Sequence, residues 1–441
     1  MKIEISEIET LGIKELKITR EINSHSCLKV KGLIKDEKGE SYLNMVGSSI
    51  QLKVEEDSIF TGYIENINLE KALRDSYIEI VAVSNSKKID QQKKSRIFQN
   101  SQKTYEQNVN YMGIKEIEVQ FLEAQIAGKK IENPMVQYEE TDFIFLKRMV
   151  GIEGSFLIPE SRSNGEKIWI GKRSGESHKI ETDIYTISKA ENSKHLKVTL
   201  QNNFYELGDI LEFKREKYFI IKSQIEYINS FFFCTYEGVD KYEEFSFIKE
   251  NSQNLKLLGK VKENEDPEKK GRIQIEFEID SDKGNEYWYK PILPYSGENM
   301  GIYYIHQKGD KVVVDFTGLK FPLVLGTIRE SGTDNLKNPK EINITSLLDK
   351  VFISMDDEQI QIVKEESGIF MKEQKITTQN EDVLMQLEKK VDFQTNDGGR
   401  VSIGKEVKMK SEKLEIDTSS SAQIKSGGSE IKIKSSGIDL N

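Results

Sequence analysis

Along residues 1–90, apolar and polar residues alternate with a period of two. Ile3, Ile5 and Ile8 open the pattern, and Leu28 and Val30, Ile50, Leu52 and Val54, then Ile78, Ile80 and Val81 continue it. A period of two turns one side of an extended chain to a core and the other to water, so these segments predict half-buried strands. Gly39 and Gly62 predict turns or bulges between them. The period changes at 141–151. There Phe143, Leu146, Met149 and Val150 fall on one face of a helix, with Thr141 or Asp142 as N-cap and Gly154 just beyond its end. Strand patterns resume at 155–158, 167–170, 197–200, 218–221 and 231–236.

Residues 254–332 carry six short strand patterns, at 255–261, 272–279, 287–292, 302–305, 311–316 and 323–328, punctuated by Gly271, Gly284, Gly297, Gly309 and Gly318. Short strands with glycine turns in so small a block predict a closed barrel of the OB type. Residues 333–350 read as a linker containing the last proline, Pro339. Beyond it the pattern becomes repetitive. Apolar pairs at i and i+2 recur every seven to ten residues: Val351/Ile353, Ile360/Ile362, Ile369/Met371 with Ile376, Val383/Met385/Leu387, Val391/Phe393, Val401/Ile403, Val407/Met409, Leu414/Ile416 with Ile424, Ile431/Ile433 and Ile438/Leu440. One inward side per short strand is a β-helix pattern. Two apolar residues per strand are too few to fill a β-helix made by one chain. Three chains sharing a narrow core need no more, and twelve stacked strands would then span roughly 60 Å.

Composition narrows the functional classes. The 441 residues carry 74 Asp and Glu against 64 Lys and Arg, a net charge of -10. An acidic balance argues against a nucleic-acid partner, and the basic run Lys93, Lys94, Arg96 reads as a solvated loop. Two cysteines, Cys27 and Cys234, build no disulfide scaffold and fit a reducing compartment. The first residues lack the apolar core of a signal peptide, and no apolar run of 18 residues occurs.

The search for chemistry returns no constellation. His25, His178, His195 and His306 are dispersed, with no zinc-type spacing, so neither metal nor cofactor is expected. Glu139, Glu140, Asp142 and Glu153 flank the helix, where acids serve caps and dipole rather than hydrolysis. Gly398-Gly399 and Gly427-Gly428 precede no Lys-Ser/Thr. Ser419-Ser420-Ser421 has no histidine nearby in sequence. The chain is therefore expected not to be an enzyme.

Two segments carry a resemblance. The first is Gln137-Tyr138-Glu139-Glu140-Thr141-Asp142-Phe143, followed by Phe145-Leu146, Arg148 and Glu153-Gly154-Ser155-Phe156. The second is Gly271-Arg272-Ile273-x-Ile275-x-Phe277, then Trp288, Gly301, Gly309-Asp310-x-Val312-x-Val314-x-Phe316 and Pro322-x-Val324-x-Gly326. In order, and followed by a repetitive tail, they resemble the VgrG-like spike proteins of contractile injection systems and their phage baseplate relatives. The resemblance implies a mainly β chain. Residues 1–250 would form a hub of two tube-like β-barrel domains with a short helix, 251–332 an OB-fold, 333–350 a linker, and 351–441 an intertwined triple-stranded β-helix needle. It implies a homotrimer whose six hub domains match a hexameric tube protein, with baseplate components, effector cargo and a punctured target membrane as further partners. The final strand, Ile438, Asp439, Leu440 and Asn441, would seat a PAAR-like tip cap, because stacked strand ends leave unpaired backbone and apolar groups. Assembly in the bacterial cytoplasm and delivery without a signal peptide follow. Two departures leave the machine open between type VI secretion, phage tail, tailocin and extracellular particle. Ile305-His306-Gln307-Lys308 replaces a proline-containing approach to the Gly-Asp run, and Gly318-Leu319-Lys320-Phe321-Pro322 replaces a Gly-Asp-Pro-Asp-Arg-Pro loop. The competing readings are a cell-wall-degrading tail hydrolase and a β-helical adhesin.

Overall fold

A computed structural model of the chain describes residues 2–35, 39–72, 75–163, 165–190, 193–241, 255–280, 287–297, 300–301, 304–317, 321–328, 342–346, 351–356, 358–365, 367–372, 375–379, 421–427, 429–434 and 437–440. Two units separate, Met1–Ser331 and Gly332–Asn441.

The first unit is organised by a twelve-stranded sheet. One half contains Ile3–Ile5, Gly12–Glu21, Cys27–Ile34, Ser49–Val54, Asp57–Ala72 and Asp75–Val83. The other contains Ser177–Lys179, Tyr185–Ala190, Ser193–Gln201, Ile210–Phe213, Glu216–Ile228 and Phe231–Val239. They join where Gly12–Glu21 pairs antiparallel with Glu216–Ile228. The seam alternates as its sequence does. Ile18 lies opposite Ile225, both fully buried, while Lys222–Glu21 (3.0 Å) and Lys17–Glu226 (3.1 Å) pair outside. One hydrophobic core spans both halves. Gly62 does not mark a turn. It lies inside Asp57–Ala72, where a Cβ would stand 2.1 Å from the Val83 carbonyl oxygen, so close backbone approach demands glycine there.

A smaller body lies between the halves in sequence. The helix Asp142–Gly151 forms where the apolar face predicts it. Thr141 Oγ1 caps it by accepting from the Ile144 N–H (3.3 Å), and Gly154 follows at φ +72°. Phe145 stacks on Phe98 at 5.3 Å between centroids. A second helix, Tyr105–Tyr111, carries a full capping box. The Gln107 N–H donates to Thr104 Oγ1, and the Thr104 N–H to Gln107 Oε1.

The barrel strands run in the order Gln274–Phe277, Lys256–Glu263, Lys311–Asp315, Leu323–Ile328, Lys290–Pro291. Tyr304 and Ile305, expected in a strand, lie outside any. The barrel is not closed on itself alone, because its core includes Ile97 and Val136 from the hairpin Lys93–Phe98/Met135–Thr141. The Ile97 N–H donates to the Ile279 carbonyl (3.0 Å). Gln99 Nε2 donates to Asp280 (2.6 Å), and Tyr289 Oη donates to Gln99 Oε1 (2.8 Å).

The second unit begins its strands at Ile342–Ser346, inside the segment expected as a linker. Val351–Met355, Gln359–Lys364, Ser367–Lys372 and Lys375–Gln379 follow, each antiparallel to the one before. Ser421–Ser426, Ser429–Lys434 and Gly437–Leu440 repeat the arrangement near the end. The apolar clusters expected between 381 and 420 lie outside the described residues.

Candidate assembly interface

Tight turns set the register of the second unit. Lys364 pairs with Ser367, Lys372 with Lys375, Ser426 with Ser429 and Lys434 with Gly437, so two residues make each connection. Glu365 and Gly427 take the positive φ that such turns need, +51° and +56°. The turn at 356–359 is held by Asp356 Oδ1, which accepts from the N–H groups of Glu358 (2.8 Å) and Gln359 (2.7 Å).

With that register the apolar pairs become columns. Ile344, Ile353, Ile362 and Ile369 stand opposite one another across four strands. Ile342, Met355, Ile360, Met371 and Ile376 form the second column across five. Side chains two apart share a face, so the columns make one apolar surface. It is exposed: Ile344 to 66%, Ile362 to 45%, Ile369 to 41% and Ile376 to 70%. The alternate positions Ser354, Val363 and Gly368 are buried instead. A continuous exposed ladder of Ile and Met marks an interaction surface.

The terminal strands continue the rule. Ile438 pairs with Ile433, which pairs with Ala422, and Leu440 pairs with Ile431, which pairs with Ile424. Asp439 stands opposite Lys432. Of the expected tip residues, Ile438, Asp439 and Leu440 thus occupy the last strand, and Asn441 lies outside the described residues.

The acids flanking the Asp142–Gly151 helix are engaged in the fold. Asp142, buried, accepts from Lys94 Nζ (2.6 Å), Gln137 Nε2 (3.0 Å) and Arg96 Nη2. Lys94 and Arg96 therefore belong to a strand and an ion cluster rather than to a solvated loop. Glu140 pairs with Arg148 (2.7 Å), and Glu153 accepts from Tyr105 Oη (2.8 Å) and Lys129 Nζ (2.7 Å). Cys27 and Cys234 are free thiols. His178 stacks on Tyr205 at 3.9 Å and meets Asp209 at 3.0 Å. Among the described residues no group of His, Cys, Asp and Glu is arranged to hold a metal.

One array is invisible to sequence spacing. His25 Nδ1 lies 2.7 Å from Ser86 Oγ, and its Nε2 lies 3.1 Å from Asp90 Oδ2. Serine, imidazole and carboxylate in line would suit nucleophilic catalysis, but Ser86 is fully buried and shares its hydroxyl with Ser84 (2.8 Å). The array instead bolts the sheet to the helix, since Asp90 also accepts from Thr141 and the ring packs on Phe143 at 4.0 Å. Burial lowers the His25 pKa, against the raising effect of Asp90. The folded state thus prefers neutral His25, so its contribution is complete above the unfolded value of about 6.5. It is lost as pH falls through the lower folded value. Melting temperature is expected to drop between pH 8 and 5, and His25→Gln is expected to flatten that slope.

Comparison with known proteins places this geometry. Residues 257–328 match the sequence model of the type VI secretion system/phage-baseplate injector OB domain family. No curated protein matches the chain. Among solved structures, the Escherichia coli c3393 protein is described as a type VI secretion component similar to the T4 tail proteins gp27 and gp5. It shares 11% identity at a TM-score of 0.53, over 74% of this chain and 100% of that one. The half-lidded Francisella PdpA–VgrG complex gives 10% identity and 0.54, over 86% of this chain and 87% of that one. The lidless complex gives 10% and 0.52, over 86% and 98%. At these identities the likeness is one of fold. Together with the OB-domain match, it bears out the VgrG-like resemblance and the mainly β, OB-containing architecture read from the sequence.

Proposed function

We propose that this chain is the structural spike of a contractile injection system, acting as a homotrimer without covalent chemistry. The exposed Ile/Met ladder of the second unit carries the reading. Its columns have the width of two side chains, and three copies turned inward would bury them in one narrow core. An injector OB domain precedes the ladder in sequence, and a hub of two fused strand halves precedes that domain. In this reading the hub docks on a hexameric tube and baseplate, the needle ends at a PAAR-like cap seated on Ile438–Leu440, and effector cargo rides with it. Assembly is cytoplasmic, and contraction drives the needle through a target membrane.

The test is the solution mass of the full chain by light scattering. Three times 50.8 kDa is expected, and a single-chain mass at micromolar concentration overturns the reading. A chain lacking 431–441 is expected to remain trimeric but to lose cap binding. Equal binding of the cap removes the proposed tip.

A further inference from the structure

Between the two strand halves of the hub lies a small cleft, lined by Arg20, Glu160, Ser161, Arg162, Trp169 and Arg173 among others. Its charges do not balance. Arg20 is 5% exposed, and its guanidinium donates to Ser161 Oγ (3.0 Å) and the Ile59 carbonyl, both uncharged. Arg162 donates to the carbonyls of Ser58 (2.9 Å) and Phe204 (3.0 Å). Arg173 lies over Trp169 and pairs with Glu206, which also stands 3.9 Å from Arg162. Three guanidiniums thus meet one engaged carboxylate.

The other acid does not close the gap. Glu160 is 7% exposed, and its Oε2 has no hydrogen-bond partner among the described residues. Burial raises its carboxyl pKa, although Ser163, Arg173 and Lys167 work against the rise. Burial likewise pulls Arg20 down to about 10. A buried cation without a counter-charge is destabilising. The open core of the cleft is about 20 Å³, room for one monatomic ion or one water molecule.

We propose that this cleft binds one small monovalent anion of halide size beside the guanidiniums of Arg20 and Arg162. The anion supplies the missing counter-charge, and the free Oε2 of Glu160, when protonated, donates its O–H to it. Binding is then coupled to proton uptake. Of the charged neighbours, Arg173 and Lys167 hold Glu160 ionised and Glu166 opposes them, so acid favours the bound form.

Full-length protein is melted in sodium bromide and in sodium gluconate at equal ionic strength, at pH 8 and pH 5.5. Bromide is expected to raise the melting temperature, with an apparent affinity about three-fold or more tighter at the lower pH. Crystals grown with bromide are expected to show its anomalous signal in the cleft. Glu160→Gln keeps a donor at that position and is expected to keep the bromide effect while losing its pH dependence. Identical melting in the two salts, or density in the cleft without a bromide signal, overturns the proposal and leaves a water site. These readouts use the hub, so they stand whether or not the chain trimerises.

Discussion

Ile362→Lys combined with Ile369→Lys is expected to convert the proposed trimer into single chains of 50.8 kDa. The two residues are cross-strand neighbours in one column, 45% and 41% exposed in the isolated chain. Losing the apolar contact costs about 1–2 kcal/mol per isoleucine. Placing an unpaired ammonium in a dry core costs several kcal/mol more. Threefold repetition multiplies both, so a penalty above about 10 kcal/mol per trimer is expected, on the order of 10⁷ in the assembly constant. Glu358→Lys is the control. Its side chain is 74% exposed at a turn, and light scattering is expected to return the trimer. A trimer that survives the double lysine variant would show that the ladder is not the shared core.

Asp266→Ala is expected to be the most damaging single change in the barrel. The Asp266 side chain is 2% exposed. It accepts from Arg272 Nε (2.9 Å) and Nη2 (2.8 Å), and from the N–H groups of Glu268 (3.0 Å), Lys270 (3.0 Å) and Arg272 (3.3 Å). The Arg272 fork comes first among the causes that hold this carboxyl well below the usual range. Removing the carboxylate leaves Arg272, 15% exposed, with only Glu268 (2.9 Å) as its acid partner among the described residues and frees the loop 265–272. The expected loss is about 3–5 kcal/mol, seen as earlier melting and as proteolytic cutting near Lys269. Asp266→Asn keeps an acceptor but not the charge and is expected to fall between. Because the folded pKa is depressed, the contribution is complete above the unfolded value of about 3.9 and is lost only as pH falls through the folded one. Barrel melting is therefore expected to be insensitive to this group at pH 5, where the His25 effect is already present.

Local patterns were legible where one element decides its own burial. The segments 167–170 and 323–328 form strands over the range their alternation marks, and Thr141 caps the helix that its apolar face outlines. What stayed hidden depends on partners distant in the chain. His25 meets Asp90 across 65 residues, and Tyr289 meets Gln99 across 190. Ile97 and Val136 sit in ordinary strand patterns, and nothing local says that they complete the barrel core. The Tyr105–Tyr111 helix had a readable signal, since Thr104 and Gln107 make a capping box, but its apolar face is short. In the tail the apolar pairs were visible and their columns were not, because register depends on turns of only two residues. The strands begin at Ile342, where composition alone reads as linker.

The antiparallel path of the second unit also limits how such a chain can evolve in length. Each strand reverses the direction of the last, and every second strand returns the chain to the same heading with the same columns. Ile353 and Ile369, sixteen residues apart, are equivalent in this sense. Gain or loss of one strand would send everything downstream back along the wrong heading. Gain or loss of a strand pair would change the length by about 10 Å and leave the rest unaltered. Lineages carrying this tail should therefore differ in steps of roughly sixteen residues, each pair of strands behaving as an insertable module.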